Sequence, residues 1–165
     1  MKMTNHNEYD VEVLKVIDGD TVDVDIHLGF GIMLRDERVR IIGIDTPESR
    51  TSDKVEDLFG EAAKARVKEL MTGSIRLITT EDRHGEDMKG KFGRVLGDFW
   101  IERHEGKKEK LTDVLIEEGH AVAYFGGNKE EIHMKHMANR EKLLREGVIS
   151  RTAYNAAIKL MEEKK

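Results

Sequence analysis

Asp20, Arg40, Asp45, Glu48 and Arg94 are the residues whose types and spacing could carry out a reaction. Asp20 lies in Ile17-Asp18-Gly19-Asp20-Thr21, the next three in Arg40-Ile41-Ile42-Gly43-Ile44-Asp45-Thr46-Pro47-Glu48, and the last in Gly93-Arg94. Each segment sets acids or an arginine at the end of an apolar run. Hydrolysing a phosphodiester requires neutralising a charged ester, activating water and stabilising the charge that builds on the phosphorus oxygens. These five side chains can divide that work. Two aspartates and a backbone carbonyl suit a hard cation that seeks oxygen and keeps waters in its other positions. A guanidinium offers phosphate a planar fork with two parallel donors and stays charged. Any one of these residues alone would read as an ordinary turn acid or surface charge. It is the set, in this order, that points to phosphodiester chemistry.

Short strands must position them. Residues 21–28 alternate polar and apolar strictly, which predicts a half-buried strand with Val22, Val24, Ile26 and Leu28 toward the core. Residues 11–17 form the strand before it, and Asp18-Gly19-Asp20 the tight turn between them. A third strand is expected over about 38–44, preceded by a bend at Gly29-Phe30-Gly31. Strict alternation would set Arg40 and Asp45 on opposite faces, so the strand must bulge or end near Gly43 and Ile44. From Gly60 the period becomes helical, with Ala62, Ala63, Arg66, Val67, Leu70 and Met71 on one face and Gly73 as the stop. Strands at 74–80 and 94–101 follow, joined by a charged, glycine-containing surface loop at 83–93. A short helix after Thr112 as N-cap should end at Gly119, with Leu111 and Ile116 as a staple. The next should start at Asn128, with Glu131 at the capping-box position, and stop at Gly147. A fourth is predicted over 151–163, where Tyr154, Ala157, Ile158 and Met161 share a face and Ile149 precedes as a staple.

This order predicts an α+β fold that is mainly barrel. Five strands form a small Greek-key barrel of the OB type, carrying three helices and an extra C-terminal one. The 165 residues, with 38% apolar content, suit one compact domain over 1–148, with 149–165 as the added helix. No apolar run nears the roughly 18 residues that span a bilayer, and the first ten residues contain no hydrophobic segment. No membrane association is expected. An intracellular product, a virus-encoded one, or a secreted one whose leader has been removed all fit that start. With no cysteine, any metal must be held by oxygen or imidazole. The formal charge of −5 is unfavourable for coating a polyanion by charge alone, so nucleic acid would have to be drawn to a local basic cleft. His133 and His136 stand one helical turn apart without a recognisable third metal ligand, and read as solvated helix-face residues. The basic run Lys107-Lys108-Glu109-Lys110 reads as a solvated loop.

The Asp-Gly-Asp-Thr strand, the segment from Arg40 to Asp45-Thr46-Pro47-Glu48 and the later Gly93-Arg94 closely resemble the staphylococcal (micrococcal) nuclease family, over most of the chain to about Arg145. The resemblance implies the same barrel with three helices, beyond which the fourth helix extends. It implies a calcium-dependent endonuclease without sugar preference, acting on DNA and RNA as a monomer with no obligate protein partner, and leaving 3′-phosphate ends. Asp20, Asp45 and the carbonyl of Thr46 would match the calcium ligands, Glu48 the general base, and Arg40 and Arg94 the phosphate-gripping arginines. Lys91, Phe92 and Tyr124 fall near positions that hold a terminal phosphate and stack on a base, and Phe92 stands where a tyrosine is usual. The polar segment Ser49-Arg50-Thr51-Ser52-Asp53-Lys54 would match a mobile loop beside the active site. The alternative is a noncatalytic OB module that binds nucleic acid or protein, since fold alone does not fix function.

Overall fold

Valines and isoleucines at every second position build the barrel, and the computed structural model describes it over residues 7–80, 89–90 and 93–163. Strands β1 (Glu8–Asp18), β2 (Thr21–Gly29) and β3 (Ile32–Ile41) form an antiparallel meander. Strand β5 (Ile75–Thr79) pairs with β1, and β6 (Val95–Glu102) with β5. The sheet closes where β6 runs parallel to β3, matching Val39 with Val95 and Ile41 with Gly97. Closure needs glycine there, because a Cβ on Gly97 would stand 2.5 Å from the Ile78 carbonyl oxygen. Val22, Val24, Val39, Ile41, Leu77, Phe99 and Ile101 fill the interior. Strand β7 (Lys108–Lys110) extends the sheet from β6, so most of the basic run expected as a loop is paired.

The meander departs from simple alternation in ways that shape its outer face. Leu28, expected inward, is 40% exposed because the β2–β3 hairpin runs past the end of the core. Asp23 and Asp25, expected outward, are buried under β3. Asp23 takes a two-pronged ion pair from Arg38 at 2.8 and 3.1 Å, and Asp25 accepts the Asp36 backbone N–H at 2.8 Å. The third strand begins at Ile32 rather than near Arg38, since the Gly29-Phe30-Gly31 bend, left-handed at all three residues, folds it straight back on β2. It ends at Ile41, before Gly43, whose φ of 82° turns the chain out of the barrel. Strand β4 (Ile44–Asp45) then pairs with β8 (Val122–Ala123). The expected break therefore falls at Gly43.

Helix α1 (Lys54–Leu70) starts six residues before Gly60, because Asp53 caps it by accepting from the N–H groups of Val55 and Glu56, both at 3.0 Å. Of the segment expected as a mobile loop, only Lys54 is taken into the helix. Helix α2 (Leu111–Glu118) has Lys110, not Thr112, at its N-cap position, and ends at Gly119 with φ of 89°. Thr112 lies inside the first turn and donates its hydroxyl to Asp98 at 2.6 Å. Helix α3 (Lys129–Arg145) is capped by Asn128, which accepts from Glu130 N at 2.8 Å, and is followed by Gly147 with φ of 76°. Helix α4 (Arg151–Glu163) has the expected bounds. No helix among the described residues is long and apolar enough to cross a membrane.

The fourth helix packs on the first through a second core. Phe59 of α1, Leu143 of α3 and Ile149 bury together, with Val55, Leu58 and Tyr154 against them. The Phe59 and Tyr154 rings meet edge to face at 6.2 Å, and the Arg140 guanidinium covers Phe59 at 5.3 Å. Phe59→Ala is therefore expected to cost about 3–5 kcal/mol in urea unfolding, as for other buried aromatics. A loss below about 1 kcal/mol would mean that α3 and α4 do not depend on this cluster.

Candidate functional site

The turn after β1 carries the first acids, and its neighbours hold it in place. Asp18 accepts a hydrogen bond from the Ser49 hydroxyl, and its other oxygen is 3.5 Å from Arg50 Nη2. Gly19 faces α1, where a Cβ would meet Ala63 Cβ at 3.0 Å and Thr46 at 3.4 Å. Asp20 is tied at both ends, its carbonyl accepting Ile41 N–H at 2.7 Å and its carboxylate accepting the Thr21 hydroxyl at 2.8 Å. Arg40 stands opposite Thr21 in the β2–β3 register and sets Nη2 3.4 Å from Asp20 Oδ2. Its other terminal nitrogen donates to the Ile41 carbonyl. Asp20 and Arg40 are thus brought together and fixed by the sheet.

Asp45 reaches the same region from β4, where it pairs with Val122. That pairing is reinforced by Tyr124 N–H, which donates to the Gly43 carbonyl at 2.9 Å. Thr46 and Ser49 are buried, while Glu48 between them is exposed. The backbone of Glu48 rests directly on α1, since a Cβ on Gly60 would lie 2.3 Å from the Glu48 carbonyl oxygen. Although Glu48 stands at the surface, its carboxyl is pushed above the usual value. The protein mass around it is the first cause, followed by the charges of Asp20, Asp18, Glu56 and Asp45. Acids from the β1–β2 turn, β4 and α1 therefore crowd one carboxyl. A group with a raised carboxyl pKa among like charges marks a functional site more often than an ordinary surface.

Arg94 lines a cleft of about 580 Å³ with Ile17, Asp18, Thr21, Asp23, Asp36, Arg38 and Arg50. Thr21 joins this cleft to the Asp20–Arg40 pair next to it. Arg38 and Arg50 also line the cleft, paired with its acids Asp23 and Asp18, and were not among the expected site residues. The signal for Arg38 is its spacing, two residues from Arg40 and so on the same face of β3. Arg50, in a left-handed turn with φ of 58°, has no such spacing signal, and the only pointer to it is its place in the polar segment expected beside the active site.

Tyr124 is 41% exposed just beyond β8, and Phe125 beside it is 87% exposed, its ring 3.3 Å from where a Gly43 Cβ would be. Lys91 and Phe92 lie outside the described residues, as does most of the expected loop over 83–93. His133 is exposed, as expected. His136 is not a solvated helix residue: its Nε2 is 2.6 Å from Asp45 Oδ2 and its side chain is only 15% exposed. The correction follows from α3 packing over β8, which the helix pattern alone does not reveal.

Comparison with known proteins shows the family of the chain. The family described as staphylococcal nuclease homologue matches residues 38–148, which end just before α4. The chain is 31% identical over 124 residues to a thermonuclease of Staphylococcus hyicus, covering 74% of this chain and 64% of that protein. It is 35% identical over 113 residues to a thermonuclease of Staphylococcus intermedius, covering 68% and 58%. Endonuclease YncB of Bacillus subtilis (strain 168) is 35% identical over 112 residues, covering 67% and 46%. The chain thus spans less than two thirds of the length of these relatives. With a closed barrel, an Asp20–Arg40 pair at its turn and a match covering β4 through α3, the chain belongs to the staphylococcal nuclease family.

Proposed function

We propose that this protein is a calcium-dependent nuclease that hydrolyses phosphodiester bonds of DNA and RNA without sugar preference and leaves 3′-phosphate ends. The observation that carries the reading is the crowding of Glu48 by Asp18, Asp20 and Asp45 beside a sheet-fixed Arg40. Excess negative charge around one raised carboxyl fits a divalent cation. Among the described residues no three His, Asp or Glu side chains close into a metal cage. The donors that the family resemblance assigns are the carboxylates of Asp20 and Asp45 with the Thr46 carbonyl, an oxygen set that suits a hard cation, and the remaining positions would be left to water. A cation there would supply charge neutralisation at the phosphate and a lower pKa for nearby water.

The chain's own groups supply the rest. Glu48 takes a proton from the attacking water, and its raised pKa brings its basicity nearer to what proton abstraction needs. Arg40 and Arg94 stabilise charge on the phosphate oxygens in flight. Tyr124, exposed at the rim, offers a base a stacking face that is tolerant of sequence. Lys91 and Phe92 are assigned the terminal phosphate and a base by family position.

The test is the chemistry of the product ends. Oligonucleotide fragments released in calcium should carry phosphate at their 3′ ends, visible as a mobility shift on phosphatase treatment. Arg94→Ala should release the same fragments about 10²–10³ times more slowly. Ends bearing 3′-hydroxyl would refute the proposed bond cleavage, and a fully active Arg94→Ala would remove that arginine from the reaction.

A further inference from the structure

Asp45 stands on a two-residue strand directly after the left-handed turn at Gly43, and its side chain is 44% exposed. A carboxylate so placed would rotate freely unless something held it. The Nε2 atom of His136, 2.6 Å from Asp45 Oδ2, does so. Its position is set by the whole of α3 rather than by a loop. Asn139, one turn on, donates to the Ala121 carbonyl at 3.3 Å, and Leu143 on the same face is buried in the second core. Asn128 fixes the start of the helix. His136, Asn139 and Leu143 recur at the spacing of a single helix face, the face that α3 turns to the body of the protein.

We propose that His136 is a positioning residue for the cation site, fixing Asp45 so that Oδ1 is presented to the metal. The inference rests on the reading above that Asp45 is a ligand. An ionised carboxylate only accepts hydrogen bonds, so the contact requires the proton on Nε2. A nitrogen that carries this proton has no lone pair for the cation. The imidazole therefore acts through Asp45, and the first coordination shell stays all oxygen, which selects hard divalent ions over those that prefer nitrogen. Partners of this kind typically contribute a factor of 10–100 in metal affinity.

The test uses the full chain and manganese as probe, with bound ion counted by electron paramagnetic resonance. His136→Ala should weaken manganese binding about 10–100-fold with its melting temperature checked alongside, and His136→Gln, which keeps an N–H near the same point, should recover most of it. Spin-echo spectra of the manganese-loaded parent should show no directly bound imidazole nitrogen. The proposal is overturned if His136→Ala binds manganese like the parent while Asp45→Asn does not, or if a bound nitrogen appears that His136→Ala removes. If Asp45→Asn itself binds like the parent, the cation assignment fails and the role of His136 falls with it.

Discussion

Glu48→Gln is expected to melt at or slightly above the parent's temperature and to cleave single-stranded DNA roughly 10²–10⁴ times more slowly. The side chain is exposed, so the change removes little packing. It also removes a charge that Asp20, Asp18, Glu56 and Asp45 disfavour, which is why stability should not fall. What it does remove is the proposed proton acceptor. The amide is isosteric but cannot take a proton from water, so the loss should appear in single-turnover rates and not in the affinity for DNA. Near-parental turnover would show that another group is the base.

Gly60→Ala is expected to lower stability and activity together, a pattern unlike that of Glu48→Gln. Alanine is the better helix former by about 1 kcal/mol, so propensity alone would raise stability. The contact outweighs it. A Cβ would lie 2.3 Å from the Glu48 carbonyl oxygen, 2.5 Å from its carbon and 2.7 Å from Ser49 N, all backbone atoms that no rotamer change can clear. Either α1 lifts away or residues 46–49 shift, and overpacking of this kind costs about 1–3 kcal/mol. A displacement near 1 Å at Thr46 and Glu48 can cost on the order of 100-fold in rate. Urea unfolding and turnover measured on the same preparation check this, with the exposed neighbour Glu61→Ala as control. A variant more stable than the parent and fully active would mean that α1 does not hold the site in place.

The role of Gly60 illustrates what was legible in the sequence and what was not. Local signals were read well where a local cap decides the structure: Asn128 opens α3, Gly119 ends α2, and α4 keeps its expected bounds. The break at Gly43 was legible because two site residues on one alternating strand demanded it. The apolar period becomes helical only from Gly60, whereas the helix begins at Lys54 and Gly60 lies inside it to allow the close approach of the Glu48 backbone, a contact between segments that local spacing does not encode. The same applies to Thr112, which resembles a cap but is used by Asp98, a partner fourteen positions away. His136 was misread for a related reason, since its partner Asp45 is 91 positions away. Buried Asp23 and Asp25 hid behind an alternation that is polar by composition, because Arg38 and the Asp36 N–H satisfy them. The five residues proposed for the reaction stand out by type and order, whereas the contacts made by Asp20, Asp45 and the Glu48 backbone do not.

A single assay bears most directly on whether this barrel hydrolyses phosphodiesters through Asp20, Asp45 and Glu48. The folded protein is incubated with end-labelled single-stranded DNA in calcium and in excess chelator, with Glu48→Gln alongside. Fragments that form in calcium, cease with chelator and are nearly absent for Glu48→Gln are the expected result. Intact DNA under every condition, or fragments released equally well in chelator or by Glu48→Gln, would contradict it.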